Sequence, residues 1–264
     1  MTEAETQARE GFPLEEIAIA LDDAASFARA VPQFSASQPF SLPDAYAIQR
    51  LSIARRCARG ERPVGIKLGF TSRAKMVQMG VDSLIWGWLT DGMVEEEGGR
   101  VARRKYIHPR VEPEVCFLTR RTIDRPLTLL EAADYVEAVA PALEIIDSRY
   151  EAFRFTLEDV VADNCSSAGL VVGPWSRSLD RLGNLGVVVR VNGAVTQTGS
   201  TAAILGHPLR SLVQASRLLA GAGTPLPAGS LIMAGAATAA DALRAGDHVA
   251  VSVGELGSAS LHVA

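Results

Sequence analysis

Two glutamates separated by a single residue stand in the apolar segment 110–117. In an extended strand, alternate side chains point to opposite faces, so Glu112 and Glu114 share one face. Val115 and Phe117 share the other face. The Cα atoms of such a pair lie about 6.5–7 Å apart, which lets both carboxylates contact one ion. On its own, this pair is more typical of a solvated strand face than of a metal site.

A third glutamate, Glu144, changes this interpretation because it lies in the mostly apolar segment 141–147. An unpaired carboxylate is unfavourable to bury, and a cation shared with Glu112 and Glu114 would supply its partner. Three carboxylate ligands are typical of a hard cation, so we expect Mg²⁺ or Mn²⁺ rather than zinc. Three protein ligands also leave coordination positions open for water or for a chelating substrate.

Lys67 is the second group whose surroundings indicate chemistry. It stands in a predicted strand between Gly65 and Gly69. Glycines on both sides would let a ligand approach the ammonium group, which could bind a carboxylate or move a proton. A structural lysine paired with a buried acid is the alternative. We expect Leu68, Gly69 and Ser72 to contact the substrate of such a site.

Two polar stretches are weaker candidates for a site. Thr71 and Ser72 precede a helix predicted over 73–79, and its N-terminal amides could receive an anionic group. The stretch 163–167 is a polar cluster between apolar segments. Most clusters of this composition are turns, so by itself it predicts no function.

Charge and motifs exclude several classes of function. The chain of 264 residues has a net charge of −4 and lacks a basic patch, which argues against nucleic-acid binding. Neither GxGxxG nor GxxxxGKS/T occurs, so no nucleotide cofactor is expected. The histidines lack an arrangement with aspartate and serine that would indicate a hydrolase triad.

The cysteines and the apolar runs bear on location. Cys57, Cys116 and Cys165 lie far apart, which fits neither a disulfide framework nor a zinc site. The N-terminus lacks an apolar signal core, so we expect a soluble, cytoplasmic protein. The longest uncharged run, 218–240, is broken by prolines and glycines and is not expected to span a membrane.

The elements that position these residues fall into a helical part and a β-rich part. Apolar periodicity predicts a helix over 14–31 and a second over 41–60, with Ser41 as its N-cap. We therefore divide the chain into an N-terminal helical section, 1–60, and a β-rich catalytic domain, 61–264.

Within the β-rich part, turn signals separate short apolar runs. Asn192 and Gly193 predict a type I′ hairpin, and a helix is predicted after Pro208. Pro113 cannot donate to a sheet ladder, so an edge strand or a bulge is expected there. The predicted strands cover 64–70, 111–118, 142–148, 187–191, 195–198, 231–234, 249–253 and 258–263.

Four segments, in order along the chain, resemble one known family: 65–72, 109–114, 143–149 and 161–167. They are similar to the 2-oxopent-4-enoate hydratase and 4-oxalocrotonate decarboxylase family, which belongs to the fumarylacetoacetate hydrolase superfamily. The resemblance extends from about Ala45 to the C-terminus. One departure is Pro113, where alanine is more usual between the two glutamates.

The resemblance implies an α+β fold, a mixed β-sandwich roll with an N-terminal helical section. It implies that Glu112, Glu114 and Glu144 hold Mg²⁺ or Mn²⁺, and that Lys67 and Ser166 act in catalysis. It further implies a homo-oligomer that acts on a small 2-oxo dicarboxylate in the meta-cleavage breakdown of aromatic compounds. Decarboxylases and hydratases of this family also associate, which makes such an enzyme a candidate partner.

The residue at position 85 separates two activities of this family. Hydratases resembling this chain carry an aspartate for acid–base work where this sequence has Ile85, and isoleucine cannot transfer protons. Segments 71–76 and 147–155 also resemble the decarboxylases more closely. The sequence therefore predicts a lyase that decarboxylates 2-oxohex-3-enedioate (4-oxalocrotonate) to 2-hydroxypenta-2,4-dienoate and CO₂.

Three alternatives stay open at this point. The chain could be the hydratase that adds water to the dienoate, or a non-catalytic partner subunit that keeps the fold. The intact set of three glutamates and a lysine argues against a non-catalytic partner subunit. A hydrolase of carbon–carbon bonds from the wider superfamily would need a paired histidine and glutamate to activate water, and no such pair is recognisable from the sequence.

Overall fold

The structure, a computed structural model, describes residues 13–72 and 84–264. The helix predicted over 73–79 lies outside the described residues. The described helices are α1 (Leu14–Phe27), α2 (Leu42–Ala58), α3 (Leu129–Ala132), α4 (Leu157–Ala162) and α5 (Leu209–Gly221). The strands are β1 (Pro63–Gly69), β2 (Ile85–Thr90), β3 (Val94–Glu95), β4 (Arg100–Val101), β5 (Arg110–Thr119), β6 (Val136–Ile146), β7 (Ser167–Val172), β8 (Gly186–Val191), β9 (Ala194–Ser200), β10 (Leu231–Met233), β11 (Asp241–Ala242), β12 (His248–Val253) and β13 (Gly257–Val263).

The two N-terminal helices begin and end where local chemistry dictates. Ser41 caps α2 through a capping box, in which its side chain accepts from the Asp44 amide and the Asp44 carboxylate accepts from the Ser41 amide. Helix α1 ends at Phe27, earlier than predicted, because Ala28 adopts a left-handed conformation with φ of 49°. Both helices pack against β2 and α4 through one apolar cluster that includes Ile48, Ile85 and Val161.

The larger sheet carries the candidate site. Its strand order is β2-β1-β10-β5-β6-β7-β3, and β11 pairs with β5 beside β10. Strands β5 and β6 form its longest ladder, antiparallel from Arg110 opposite Ile146 to Thr119 opposite Val136. This ladder is the rigid element on which the three glutamates stand.

The strand that contains Pro113 is an interior strand without a bulge at this residue, which corrects the expectation. Its register with β6 shifts only between Leu118 and Thr119. Strands β10 and β11 pair with the same side of β5 and leave a gap between them at Pro113. In this gap, the Pro113 carbonyl accepts a hydrogen bond from the Ala237 amide. A residue's amide and carbonyl point to the same side of a strand, so the missing N–H faces this gap rather than the ladder.

The smaller sheet has the order β4-β13-β12-β8-β9 and packs against one face of the larger sheet. Side chains such as Val115, Phe117 and Ile145 fill the main core with Val249 and Leu261 of the smaller sheet. The β8–β9 hairpin turns at residues 192–193, which both have positive φ, as the type I′ prediction requires. The smaller sheet therefore covers one face of the larger sheet, and Lys67 and the three glutamates lie on the opposite face.

Several strands were not predicted. Strand β2 carries two tryptophans around Gly87, and β7 follows directly on the polar stretch 163–167, so neither has clear alternation. Strand β6 begins at Val136 rather than at the predicted Ala142. The division into 1–60 and 61–264 stays a prediction. Within the described ranges, no helix combines the length and the apolarity needed to cross a bilayer.

Gly65 and Gly69 serve packing, which corrects the expectation that they leave room for a ligand. A Cβ atom on Gly65 would lie 2.1 Å from the Leu231 carbonyl oxygen of the neighbouring strand. A Cβ atom on Gly69 would lie 2.7 Å from Cγ1 of Ile85. The glycines flanking Lys67 thus allow β10 and Ile85 to approach β1 closely.

We expect Gly65→Ala to lower the free energy of unfolding by about 1–3 kcal/mol, because the added methyl group must push β1 away from β10. Gly186→Ala in β8 is the matched control, since a Cβ atom there meets nothing within 4 Å. We expect that control to change stability by less than about 0.5 kcal/mol. Urea denaturation measures both, and equal effects in the two variants would contradict the close approach of β1 and β10.

Candidate metal centre and active site

Three carboxylates converge on the free face of the larger sheet. The β5–β6 register sets Glu112 directly opposite Glu144, and Glu114 lies on the same face two residues further along β5. One carboxylate oxygen from each lies within 4.8 Å of the others. The three residues are 5%, 1% and 0% exposed, so solvent hardly screens their charges.

Lys67 joins this cluster from the other side of β10. It pairs with Met233 of β10, which in turn pairs with Cys116 of β5, so its side chain lies on the face that holds Glu114. Its Nζ atom lies 3.0 Å from Oε2 of Glu144 and donates to the Cys165 carbonyl at 3.2 Å. The structure therefore brings together all four residues that the sequence singled out first.

The cluster carries an excess of negative charge. Burial raises the pKa of Glu114, and the charges of Glu144 and Glu112 raise it further against the opposing effect of Lys67. Burial also raises the pKa of Glu144, with Lys67 opposing and Glu112 adding to the shift. For Lys67 burial acts to lower the pKa, but the carboxylates outweigh it and hold the ammonium group protonated. One ammonium group thus faces three carboxyl groups, and a divalent cation would restore neutrality.

The hydrogen bonds of the cluster leave oxygen atoms available to a metal. The Glu114 Oε2 atom accepts from the Gly235 amide at 2.8 Å. Among the described residues, nothing donates a hydrogen bond to Oε1 of Glu114 or Oε1 of Glu144. Buried carboxylate oxygens without donors are rare in folded proteins, and hard divalent cations prefer such ligands. The residues present therefore fit Mg²⁺ or a similar ion held by Glu112, Glu114 and Glu144.

A left-handed turn at residues 164–166 holds the lysine in place. Its three residues, Asn164, Cys165 and Ser166, have φ values of 49°, 54° and 57°. The Asn164 side chain donates to the Trp88 carbonyl at 2.9 Å and accepts from the Trp88 amide at 2.7 Å. It therefore pairs with the open edge of β2. The Cys165 carbonyl, which accepts from Lys67, is fixed by the same turn.

A buried ion pair supports this turn from behind. The Arg149 guanidinium contacts both the carboxylate and the backbone carbonyl of Asp163, and donates to the Asp147 and Ser167 carbonyls at 2.7 and 3.1 Å. Burial raises the pKa of the Asp163 carboxyl to about 6, against the opposing charge of Arg149. Arg149 thus ties the chain after β6 to both ends of the turn.

The remaining predicted residues differ in their placement. Ser166 is buried at the end of the turn, and its Oγ atom has no hydrogen-bond partner among the described residues. Ser72 is half-buried at the edge of the described range. Gly69 lies beneath Ile85. The Leu68 side chain is not brought to the cluster, because alternation along β1 places it in the main core.

Three residues of the site were missed by sequence reasoning. Asn164 stood in the polar stretch 163–167, where only its contact with β2 distinguishes it from an ordinary turn residue. Arg149 stood within a segment of the family resemblance, but no pattern indicated its partner Asp163. Gly235 has φ of 107° and packs against Thr71, and nothing in its neighbours indicates a bond to Glu114.

Comparison with known proteins adds a family to this geometry. The model for the fumarylacetoacetate (FAA) hydrolase C-terminal family matches residues 77–264. The chain belongs to the fumarylacetoacetate hydrolase family. Among curated members, it is 54% identical over 244 residues to a 4-oxalocrotonate decarboxylase from a Pseudomonas species, covering 92% of this chain and 95% of that protein.

Two further members of the family show how the similarity is graded. A 2-keto-4-pentenoate hydratase from Paraburkholderia xenovorans is 37% identical over 225 residues, covering 83% of this chain and 82% of that protein. The solved 4-oxalocrotonate decarboxylase from Pseudomonas putida G7, complexed with magnesium and adipate, superposes with a TM-score of 0.92 at 38% identity. That superposition covers 95% of this chain and 97% of the other, and it confirms the predicted α+β fold.

We expect Glu144→Gln to weaken the binding of Mg²⁺ and Mn²⁺ by at least about 100-fold, since even groups that only orient metal ligands contribute about 10–100-fold. The variant should remain folded, because removing one of three buried like charges relieves repulsion. Glu137→Gln on the same strand is the control, since Glu137 pairs instead with Arg120 and Arg177. Isothermal titration calorimetry measures the affinities, and an unchanged affinity in Glu144→Gln would remove this residue from the metal site.

We expect the affinity for Mn²⁺ to rise as the pH is increased above the ordinary carboxyl range, because the metal must displace protons from carboxyl groups. The pKa values of Glu114 and Glu144 are raised, so protons compete at a higher pH than for ordinary carboxyl groups, whose pKa is about 4.3. Lowering the pH should therefore weaken binding, and more steeply in the wild type than in Glu144→Gln. An affinity that does not change with pH above the ordinary carboxyl range would contradict the charge distribution described here.

Proposed function

We propose that this chain is a 4-oxalocrotonate decarboxylase, a metal-dependent carboxy-lyase. The observation that carries this function is the buried cluster of Glu112, Glu114 and Glu144 with Lys67 at 3.0 Å from Glu144. The 54% identity to a 4-oxalocrotonate decarboxylase over 92% of the chain supports it. Two hydratases, from Paraburkholderia xenovorans and Pseudomonas putida, are similar at the lower identity of 37%.

The substrate proposed is 2-oxohex-3-enedioate, a six-carbon dicarboxylate with a 2-oxo group. Adipate, which is bound in the solved decarboxylase, is also a six-carbon dicarboxylate. In the reaction, the bond between C5 and the distal carboxylate breaks and CO₂ leaves. The electron pair passes along the conjugated chain to the 2-oxo oxygen, which takes up one proton to give 2-hydroxypenta-2,4-dienoate.

The metal proposed is Mg²⁺ or Mn²⁺, held by Glu112, Glu114 and Glu144. When bound, such an ion supplies Lewis-acid stabilisation of the negative charge that develops on the 2-oxo group. The magnesium in the solved decarboxylase supports this choice. The donor set of this chain, three hard carboxylates without a histidine among them, also fits these ions better than zinc.

Lys67 and Ser166 are proposed to act on the substrate from the protein's side. The Lys67 ammonium is held protonated by the surrounding carboxylates, so it can stabilise the dienolate charge or deliver a proton to its oxygen. The Ser166 hydroxyl is buried without a partner and can donate a hydrogen bond to the substrate. Ser72, Gly69 and Leu68 stay proposed substrate contacts, the last two through their backbone alone, because Ile85 packs over Gly69 and the Leu68 side chain lies in the main core.

Ile85 argues for decarboxylation over hydration. It pairs with Gly69 at the end of β1, two residues from Lys67, and belongs to the apolar cluster beneath α1 and α2. No proton can be transferred by this side chain, whereas adding water to a diene requires one. Loss of CO₂ needs an electron sink at the 2-oxo group but no proton transfer to the carbon chain. The intact cluster of three glutamates and Lys67 argues against a non-catalytic partner subunit.

An assembly of identical chains, and association with a hydratase, stay predictions. Apolar side chains available for such contacts are exposed on the surface, among them Phe27 at 74% and Leu130 at 93%. Contiguous exposed apolar patches favour association between chains, whereas single exposed apolar side chains are common in monomers.

One assay separates the decarboxylase from its rivals. We expect the protein with Mg²⁺ to release CO₂ from 4-oxalocrotonate with formation of the dienoate, and to lose this activity with a chelator. A hydratase would instead consume the dienoate and form 4-hydroxy-2-oxopentanoate. If neither reaction occurs in the presence of metal, the result supports a non-catalytic partner subunit and contradicts the proposal.

We expect Lys67→Met to lower kcat by about 10²–10³, the effect of removing one preorganised donor from a developing oxyanion. Metal affinity should be retained or increased, because the variant removes a positive charge from beside the site. Calorimetry with Mn²⁺ provides this control in the same sample. Full turnover in a metal-bound Lys67→Met protein would remove the lysine from the mechanism.

A further inference from the structure

A cavity lies apart from the carboxylate cluster, between the N-terminal helices, the end of β6 and the start of β7. Its volume is about 320 Å³, within the range of small-molecule sites of about 300–1,000 Å³. Its lining includes Ser26 of α1, Arg56 of α2 and Ala168 of β7, and it contains neither the three glutamates nor Lys67.

The lining of this cavity is rich in positive charge. Four cationic side chains face it, against the two carboxylates of Glu61 and Asp147; the cations are Arg56, Arg59, Lys105 and Arg149. All four have a carboxylate partner, which for Arg56 is Glu61. Arg59 forms two bonds to Asp22 at 2.6 and 2.7 Å, Lys105 meets Glu95 at 2.7 Å, and Arg149 meets Asp163.

Arg56 forms the longest of these four ion pairs, so it holds its carboxylate less tightly than the other three cations do. Its side chain is only 18% exposed, and in the described part of the chain its sole hydrogen bond runs from Nη1 to Glu61 at 3.3 Å. Glu61 is shared, because it also accepts from the Thr90 hydroxyl. Burial lowers the pKa of the Arg56 guanidinium, Glu61 opposes this effect, and the neighbouring charge of Arg149 adds to it. A bound oxyanion would accept from the N–H donors of Arg56 that Glu61 does not engage.

A separate small void beside the cavity reaches the support of the lysine turn. This void of about 10 Å³, room for roughly one water molecule, is lined by Arg56 and Arg149 together with Asp163 and Asn164. Arg56 and Arg149 line both spaces. The outer rim carries Arg59 and Lys105, whose side chains are 45% and 51% exposed and can attract anions from solution.

We propose that this cavity is a binding site for a small oxyanion, a carboxylate or phosphate compound, whose charged group is held by Arg56. The planar guanidinium presents its remaining N–H donors as a fork suited to such an anion. Arg149, whose donors are already engaged, adds its field rather than hydrogen bonds. The site is independent of the metal centre and of the substrate proposed above.

The test is calorimetric titration of the Mg²⁺-loaded, full-length protein with sulfate and, separately, with succinate, at constant ionic strength to hold screening equal. We expect Arg56→Gln to weaken the binding of whichever probe binds by at least about tenfold, because hydrogen bonds to charged groups contribute about 1.5–3 kcal/mol. Ser26→Trp is a second variant that fills the cavity without changing its charge, at an exposed position of α1. It should weaken the same probe to a similar extent.

Arg217→Gln, an exposed arginine of α5 outside the cavity, is the matched control and should bind both probes as the wild type does. Weaker binding in both cavity variants, with retained Mg²⁺ affinity as a check of folding, supports the site. The probe that binds shows whether the carboxylate or the tetrahedral oxyanion is preferred. The proposal is overturned if the wild type binds neither probe, or if either cavity variant binds as the wild type does.

Discussion

The buried attraction between one ammonium group and three carboxyl groups is the interaction on which the rest of this structure depends. Burying like charges this close is unfavourable unless a proton or a cation intervenes. The raised pKa values of Glu114 and Glu144 favour a bound proton, and the oxygen atoms of these groups that accept no hydrogen bond are suited to a cation. The β5–β6 ladder holds the carboxylates against their repulsion, so a metal would meet ligands that are already assembled.

The position of Lys67 is fixed by the turn at residues 164–166. Three successive residues with left-handed φ values, 164–166, would each be strained by about 1–3 kcal/mol if nothing compensated them. Asn164 offsets part of this strain through its two hydrogen bonds to Trp88, and the Arg149–Asp163 pair anchors the start of the turn. The turn therefore presents the Cys165 carbonyl to Lys67 in a fixed position, and the ammonium group faces Glu144 rather than rotating away.

The sequence predicted this site where local periodicity and burial decide the outcome. Strand alternation placed Glu112 and Glu114 on one face, and the apolar neighbours of Glu144 required it to find a partner. The support of the site was not predictable in this way, because Gly235 and Asn164 meet their partners across more than 70 residues of chain. The contacts of residues distant in sequence also explain the errors. Gly65 makes room for a strand rather than a ligand, and Pro113 sits opposite a gap rather than at an edge.

The choice between two lyase activities comes down to what the site lacks beside Lys67. Hydration and decarboxylation both need a sink for electrons at the 2-oxo group, and the metal ligands are suited to both. Only hydration also needs a group that moves protons along the carbon chain. Ile85 closes that position with an apolar side chain packed over Gly69. At this position, among the described residues, a dienoate would meet an apolar side chain rather than a carboxylic acid, which favours its release over its hydration.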